Sequence, residues 1–266
     1  MQRYEPLKGK YGIVVDEIMT GGHQKALGKL QRIQEQSAVQ NYDIGTRLVM
    51  DDRVFRYCKA GSNLRDLLSG NCGMSQIEVD THATVSLVGS YEVTILDVAA
   101  RVEDWYAGGY LWIQRYAPGS TGIGRMHRIK ASEESAGTSV KLTLWEPLEV
   151  ECPASTWITV WANIYANIVI DILPKSSLVC IPLIVVASGS YFWGQTWGPV
   201  FLQCGYHPGD VNYDREVYWK SDHYGFLPGS EVVFTAGQPI PQRVGFLLPN
   251  TATIGTDNLV MLQLSP

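Results

Sequence analysis

Alternating apolar and polar positions recur along the chain after residue 43, in short runs separated by turn-forming residues. In the run 139–145, Val140, Leu142 and Leu144 alternate with polar neighbours. A side-chain period of two is that of a β-strand with one buried face. Turn signals every 8–12 residues are typical of a sandwich or barrel. The sequence therefore predicts a mainly β fold with an antiparallel sandwich or barrel body.

The predicted strands begin with a hairpin around the turn Asp51-Asp52, and one helical turn is predicted at 63–68. Residues 110–116 alternate aromatic and polar side chains. The predicted strands are 45–50, 53–59, 81–88, 91–98, 110–116, 125–130, 139–145, 157–170, 178–186, 191–195, 199–203, 231–235, 242–248 and 259–264.

The first 42 residues lack this strand pattern and are predicted to form an extended N-terminal arm. A short helix is predicted over residues 23–36, where apolar residues recur at helical spacing. The domain prediction is an arm at 1–42 and a β-rich body at 43–266. A division of that body into two β subdomains near residue 150 is left open.

Charge separates the start of the chain from the rest. The 266 residues carry 21 Lys and Arg against 26 Asp and Glu, which gives a net charge of −5. Residues 1–60 carry a net +3 and residues 61–266 a net −8. The acidic balance argues against a dedicated nucleic-acid binder. The arm cations Lys25, Lys29 and Arg32 are candidate contacts to an acidic neighbour; an ordinary solvated segment is the alternative.

The stretch 153–209 is unusually poor in charge, and its only charged residues are Asp171 and Lys175. Such a stretch either combines core with a subunit interface or is core alone. It contains Trp193 and Trp197, which we take as candidate interface residues whose rings fill a core or a subunit contact. An aromatic platform for a sugar ring is the alternative.

The sequence contains no catalytic motif, and we expect no enzyme activity, cofactor or metal. Asp210-x-Asn212-x-Asp214 matches the start of a calcium loop, but Arg215 stands where that loop needs glycine. The five cysteines are widely spaced, which is typical of reduced, buried thiols. The most apolar run, 178–187, is too short to span a bilayer, and the first residues lack a signal-peptide core.

Several short segments together resemble virion structural proteins of tailed bacteriophages. They run in matching order along residues 44–200, and a further one closes the chain. They are Ile44-Gly45-Thr46-Arg47-Leu48, Arg53-Val54-Phe55-Arg56-Tyr57-Cys58-Lys59-Ala60-Gly61, Gly109-Tyr110-Leu111-Trp112-Ile113, Gly124-Arg125-Met126-His127-Arg128-Ile129-Lys130, Leu142-Thr143-Leu144-Trp145-Glu146-Pro147-Leu148, 191–199 and 251–264. The chain departs from the family pattern at 62–70, where leucines replace small residues.

The resemblance implies a capsid cement or decoration protein without enzyme activity, on the capsid surface of a virion assembled in the host cytoplasm. Its implied partners are the major capsid protein and copies of itself, as a homotrimer, with no direct nucleic-acid or membrane contact. A tail, collar or fibre-attachment component is one alternative. A glycan- or receptor-binding β module is another.

Overall fold

The computed structural model is built from antiparallel strands, and no helix occurs among the residues that it describes. This confirms the predicted mainly β fold. The residues described are 31–73, 85–97, 99–113, 124–149, 151–152, 156–170, 176–202, 215–220, 225–228, 241–248 and 258–266.

The chain divides into two units, and the second is inserted into the first. Unit 1 comprises residues 1–73 and 165–266, and unit 2 comprises residues 74–164. The sequence pattern predicts an arm ending at 42 and leaves open a division near 150. The contacts instead separate the units at 73/74 and 164/165, because strands distant in sequence pair within unit 1.

Unit 1 contains a ten-stranded antiparallel sheet that curls into a half-barrel. Its main path runs β11-β3-β12-β13-β17-β16-β14-β15, with β2 on β13 and β1 on β2. The strands are β1 (Arg47–Met50), β2 (Arg53–Lys59), β3 (Gly70–Cys72), β11 (Ile168–Val169), β12 (Leu178–Pro182), β13 (Tyr191–Leu202), β14 (Glu216–Lys220), β15 (Gly225–Pro228), β16 (Gln242–Leu247) and β17 (Asn258–Gln263).

Unit 2 contains a five-stranded antiparallel sheet in the order β10-β6-β7-β9-β4, together with a small β5-β8 pair. The strands are β4 (Glu92–Ile95), β5 (Ala100–Arg101), β6 (Tyr110–Ile113), β7 (Arg125–Ser132), β8 (Ser135–Ala136), β9 (Val140–Leu144) and β10 (Ile158–Trp161). The predicted alternation in β9 is confirmed, since Val140, Leu142 and Leu144 are buried in the core of this unit.

Strand β13 organises unit 1 because it is covered on both faces. Phe192 packs in a cluster with Cys58 and Cys180, and Trp193 packs in a separate cluster with Tyr57. Two shorter strands were predicted here, divided by glycine and proline. The chain instead continues as one twelve-residue strand, because a β-bulge between Gln195 and Trp197 absorbs the irregularity.

The part of the predicted arm that the structure describes, 31–42, packs onto unit 1. Ser37 and Tyr191 exchange two backbone hydrogen bonds of 2.9 and 2.7 Å, and Ile33 is buried beside Trp193. Residues 31–36 were predicted to be helical but form a turn, in which the Glu35 amide donates to the Arg32 carbonyl. The remainder of the predicted arm and helix lies outside the described residues.

A Gly-Ser-Tyr turn occurs once in each unit, before β4 and before β13. Gly89 and Gly189 both have positive φ angles, of 84° and 80°. The following serine amides donate to Leu87 and Ala187, each at 3.1 Å. The two turns therefore share both sequence and hydrogen-bond geometry.

Candidate functional site

Trp193 belongs to the core of unit 1 rather than to an interface. Its side chain is only 2% exposed and packs against Tyr57, with ring centroids 5.0 Å apart. Its indole Nε1 donates a hydrogen bond of 3.1 Å to the Gln31 carbonyl. The structure therefore agrees with the packing interpretation of this ring, and a sugar cannot stack on it.

Gln31 connects the described part of the arm to this aromatic cluster. The Tyr57 hydroxyl donates to Gln31 Oε1 at 2.7 Å, and Gln31 Nε2 donates to the Tyr191 carbonyl at 2.9 Å. Burial raises the pKa of Tyr57 to about 12, so the hydroxyl stays protonated at neutral pH. Residues after 30 are thus held to unit 1 by buried hydrogen bonds.

Trp197 lies in a different environment, although it follows Trp193 by four residues. The bulge shifts the register so that Trp197 lies opposite Val54, and its side chain is partly exposed. A kink was predicted from the glycines and the proline of this segment, and Gly198 has a φ of 90°. Two residues four apart on a regular strand would share a face, and here the bulge changes that relation.

The candidate cations of the arm are only partly covered by the structure. Lys25 and Lys29 lie outside the described residues. Arg32 is exposed, and its Nε lies 4.0 Å from a Glu35 carboxylate oxygen. An exposed pair of this kind contributes little to stability, so Arg32 remains available to an acidic partner.

Core packing accounts for most of the charge-poor stretch. In 176–202, the residues of β12 and most of those of β13 are buried. Large apolar side chains that remain exposed in the described part of the stretch are Trp157, Ile164, Ile170, Val185 and Phe201.

The buried thiols of Cys58 and Cys180 approach each other across Gly194, with their Sγ atoms 4.0 Å apart. The hydrogen bond with Cys58 and burial raise the pKa of the Cys180 thiol. Gly194 pairs with β2 on one edge and β12 on the other, so the cysteine strands are two spacings apart, about 9–10 Å. A disulfide needs Cα atoms within about 7 Å, so the arrangement is that of two reduced thiols.

Unit 2 has a buried polar cluster and a buried histidine. Asp97 accepts hydrogen bonds from Arg101 Nε at 2.8 Å and from the Tyr106 hydroxyl at 2.6 Å. Burial alone would raise the pKa of Asp97, but these bonds together hold it below its usual value. The satisfied ion pair is typical of a structural role.

His127 lies on β7 opposite Leu111, with both ring nitrogens buried and unbonded among the described residues. Burial lowers its pKa, although Glu146 and Glu149 act in the opposite direction. The neutral imidazole is therefore the form that fits the folded unit.

The described residues contain no group of three or more His, Cys, Asp or Glu side chains that could hold a metal ion. Most of the partial calcium-loop match lies outside them. Glu216, which follows it, is engaged by Arg243 Nε at 3.2 Å and by the Tyr218 hydroxyl. The described residues contain no helix that is long and apolar enough to cross a membrane.

Exposed apolar side chains are concentrated in unit 2. Ten of the fourteen large ones among the described residues lie there, although it is the smaller unit. The ten are Val85, Leu87, Val88, Tyr91, Leu96, Val102, Tyr110, Met126, Trp157 and Ile164. The scarcity of charge predicted an interface in 153–209 and gave no signal for this surface.

The outward face of the five-stranded sheet carries aromatic side chains on adjacent strands. Tyr110 of β6 lies directly opposite Trp161 of β10 on one side and Arg128 of β7 on the other. Trp112 lies opposite Met126, and both are at least partly exposed. The aromatic–polar alternation of 110–116 was the sequence signal for this face.

Comparison of the chain with known protein families, with curated proteins and with solved structures finds no match.

Proposed function

We propose that the chain is a non-enzymatic virion structural protein of the capsid cement or decoration type, which attaches to its neighbours through unit 2. The single observation that carries the attachment is the concentration of exposed large apolar side chains in this unit. The virion assignment is supported by the resemblance of residues 44–200 to tailed-phage virion proteins.

Clustered exposed apolar residues are typical of surfaces that bind other proteins, and Val85, Leu87, Val88 and Tyr91 lie within seven residues of the chain. The proposed partners are the major capsid protein and further copies of this chain, in a homotrimer on the capsid surface. In a shell, each contact is repeated by symmetry, so modest affinity at one site suffices for stable attachment.

The two Gly-Ser-Tyr turns provide a matched pair of variants. Val85 and Val185 precede their turns by the same number of residues and are 56% and 64% exposed. The experiment adds purified chain to empty tailed-phage particles that lack it, and counts bound copies by negative-stain microscopy. We expect Val85→Asp to lower occupancy strongly and Val185→Asp to leave it unchanged, because only the first lies in unit 2.

Heat stability of the particles provides a second measurement. Cementing should raise the temperature at which the shells rupture, and Val85→Asp should remove that increase. Absence of binding by the wild-type chain would contradict the proposed function. Equal loss with both variants would contradict the assignment of the contact to unit 2.

The arm is proposed to add an electrostatic contact through Lys25, Lys29 and Arg32. Deleting residues 1–30 should leave unit 1 folded and weaken attachment most at low salt, where charges are least screened. The deletion should end before Gln31, since Gln31 and Ile33 are buried in unit 1. If the truncated and full chains bound the particles with equal affinity at low and high salt, the proposed electrostatic contact of the arm would be contradicted.

A further inference from the structure

The outward face of the five-stranded sheet in unit 2 combines flat aromatic side chains with cations. The row Trp161, Tyr110 and Arg128 crosses three adjacent strands in register. Directly opposite side chains on one face are about 5 Å apart, so the three are close neighbours. Tyr110 is 47% exposed, and the ring of Trp112 on the same face lies against Gly124, where a Cβ would clash with it.

A second cation lies farther along β7 on this face. Lys130 is exposed and holds its Nζ 5.2 Å from the ring centroid of Trp145, which follows β9. Lys130 is the extra residue of a β-bulge between Ile129 and Ala131, so it is free of a direct cross-strand neighbour. Aromatic rings are thus flanked by cations at two places.

Arg128 and Lys130 differ from the other described basic residues of unit 2 in their ion pairing. Each of the other basic residues that the structure describes in this unit has an acidic partner: Arg101 with Asp97, Arg125 with Glu149, and Lys141 with Glu92 and Glu133. Arg128 and Lys130 have no such ion pair with any described acid. Unit 2 contains eleven acidic and six basic residues in sequence, so acids are in excess. Two exposed cations that lie beside aromatic rings and have no ion pair among the described residues therefore favour an anionic ligand from outside.

We propose that this face binds an acidic carbohydrate, a polymer of carboxylated sugars such as uronic or sialic acids. The C–H groups of a pyranose ring suit the negative face of Tyr110, Trp112 and Trp161. Arg128 presents a planar donor fork that matches a sugar carboxylate. Lys130 supplies a second charge for a carboxylate farther along the polymer.

A single-stranded nucleic acid would also stack on aromatic rings beside cations. The acidic excess of unit 2 disfavours it, because nucleic-acid binding depends on neutralising many phosphates over a basic surface. A sugar polymer with one carboxylate per residue has a lower charge density. The same experiment includes a nucleic-acid probe as one of its arms.

The test titrates the full chain with four probes, by calorimetry and tryptophan fluorescence. The probes are oligogalacturonate, the same oligomer with its carboxyls methyl-esterified, oligosialate and a twenty-nucleotide oligothymidylate. We expect saturable binding of at least one carboxylated oligomer. Esterification should weaken binding about tenfold or more, because it removes the charged acceptor of Arg128.

Two variants and two matched controls locate the site. Arg128→Gln should weaken binding of the carboxylated oligomer about tenfold and leave the esterified one unchanged. Tyr110→Thr removes the ring, introduces a β-branched residue that strands favour, and should weaken both. Tyr91→Thr and Arg65→Gln, at exposed positions outside this face, should change neither. Circular dichroism of each variant checks that the fold is retained.

Three results would overturn the proposal: no saturable binding of either carboxylated oligomer at millimolar concentration, binding that survives both Tyr110→Thr and Arg128→Gln, or tighter binding of oligothymidylate that both variants reduce. None of these results bears on attachment to shells, which Val85→Asp tests separately.

Discussion

The same Gly-Ser-Tyr turn leads into two strands that are buried to very different extents. In unit 1 the turn is followed by Phe192 and Trp193, and both are buried on opposite faces of β13. In unit 2 it is followed by Glu92, which is exposed, and Val93, which is buried. The turn fixes only where a strand begins, and the residues after it determine whether one face or both are covered.

This difference accounts for two of the ten exposed apolar residues of unit 2, Tyr110 and Met126, which lie on strands of the five-stranded sheet. Around β13, the described arm residues and the loop containing Leu64 cover both faces of the unit 1 sheet. The five-stranded sheet buries one face and leaves Tyr110, Met126 and Arg128 on the other. An antiparallel sheet with one open face is normally polar there, and the aromatic rings on this face are the basis of the binding that we propose for it.

The variant with the largest expected effect removes the ring of Trp193, which covers one face of β13 in unit 1. Trp193→Ala should lower the free energy of unfolding by about 3–5 kcal/mol, because it removes buried area and leaves a cavity. Urea unfolding followed by circular dichroism measures it. If the free energy of unfolding fell by less than about 1 kcal/mol, Trp193 would not be a main packing residue on this face of β13.

A change of pH should affect unit 2 through His127. The pKa of this histidine is lowered in the folded chain, so the unfolded chain binds the proton more readily. Stability is therefore present above the unfolded pKa, about 6.5, and falls as the pH drops below it. One group contributes at most about 1.4 kcal/mol per pH unit.

The control for this effect is His127→Leu, which removes the titrating group and places an apolar side chain on the buried face. Hydrogen exchange of the β6 and β7 amides at pH 7.5 and 5.5 reports on unit 2 directly. We expect acid-induced loss of protection in the wild type and a smaller loss in the variant. The same loss in both would assign the pH effect to other groups.

The two turns themselves should respond alike, whatever the burial of the strands that follow. A Cβ at Gly89 or Gly189 would meet no atom within 4 Å, so only the positive φ opposes a side chain. Gly89→Ala and Gly189→Ala should each cost about 1 kcal/mol of stability. Urea unfolding of the two variants measures this, and a much larger cost at one turn would show that the turns are not equivalent.

Local features of the fold were predictable from the sequence, and pairing between distant segments was not. The hairpin at Asp51-Asp52 was predicted because turn residues and alternation lie within a dozen positions, and Asp51 has the positive φ of a tight turn. The continuity of β13 was missed because glycine and proline usually end strands, whereas here β2 and β17 pair across them.

The candidate site shows the same limit. The packing of Trp193 was predicted from its charge-poor surroundings, and the structure agrees. The open face of the five-stranded sheet in unit 2 was not predicted. The alternation of 110–116 indicates that the strand has two different faces, but it does not tell which face is covered by other residues. Only the register of β6 with β7 and β10 places Tyr110 beside Arg128 and Trp161.

The smallest expected effect on the free energy of unfolding is at Tyr110, an exposed ring of unit 2 that we compare with the buried ring of Trp193. Tyr110→Thr should change the free energy of unfolding by less than about 0.5 kcal/mol, as substitutions at exposed positions usually do. Tyr91→Thr, at a side chain 52% exposed in the same unit, is its control for loss of an exposed ring. Both are measured by urea unfolding beside Trp193→Ala. A cost at Tyr110 approaching that at Trp193 would mean that its ring is held by packing within the unit, and the open face would then be part of the fold rather than a surface available for binding.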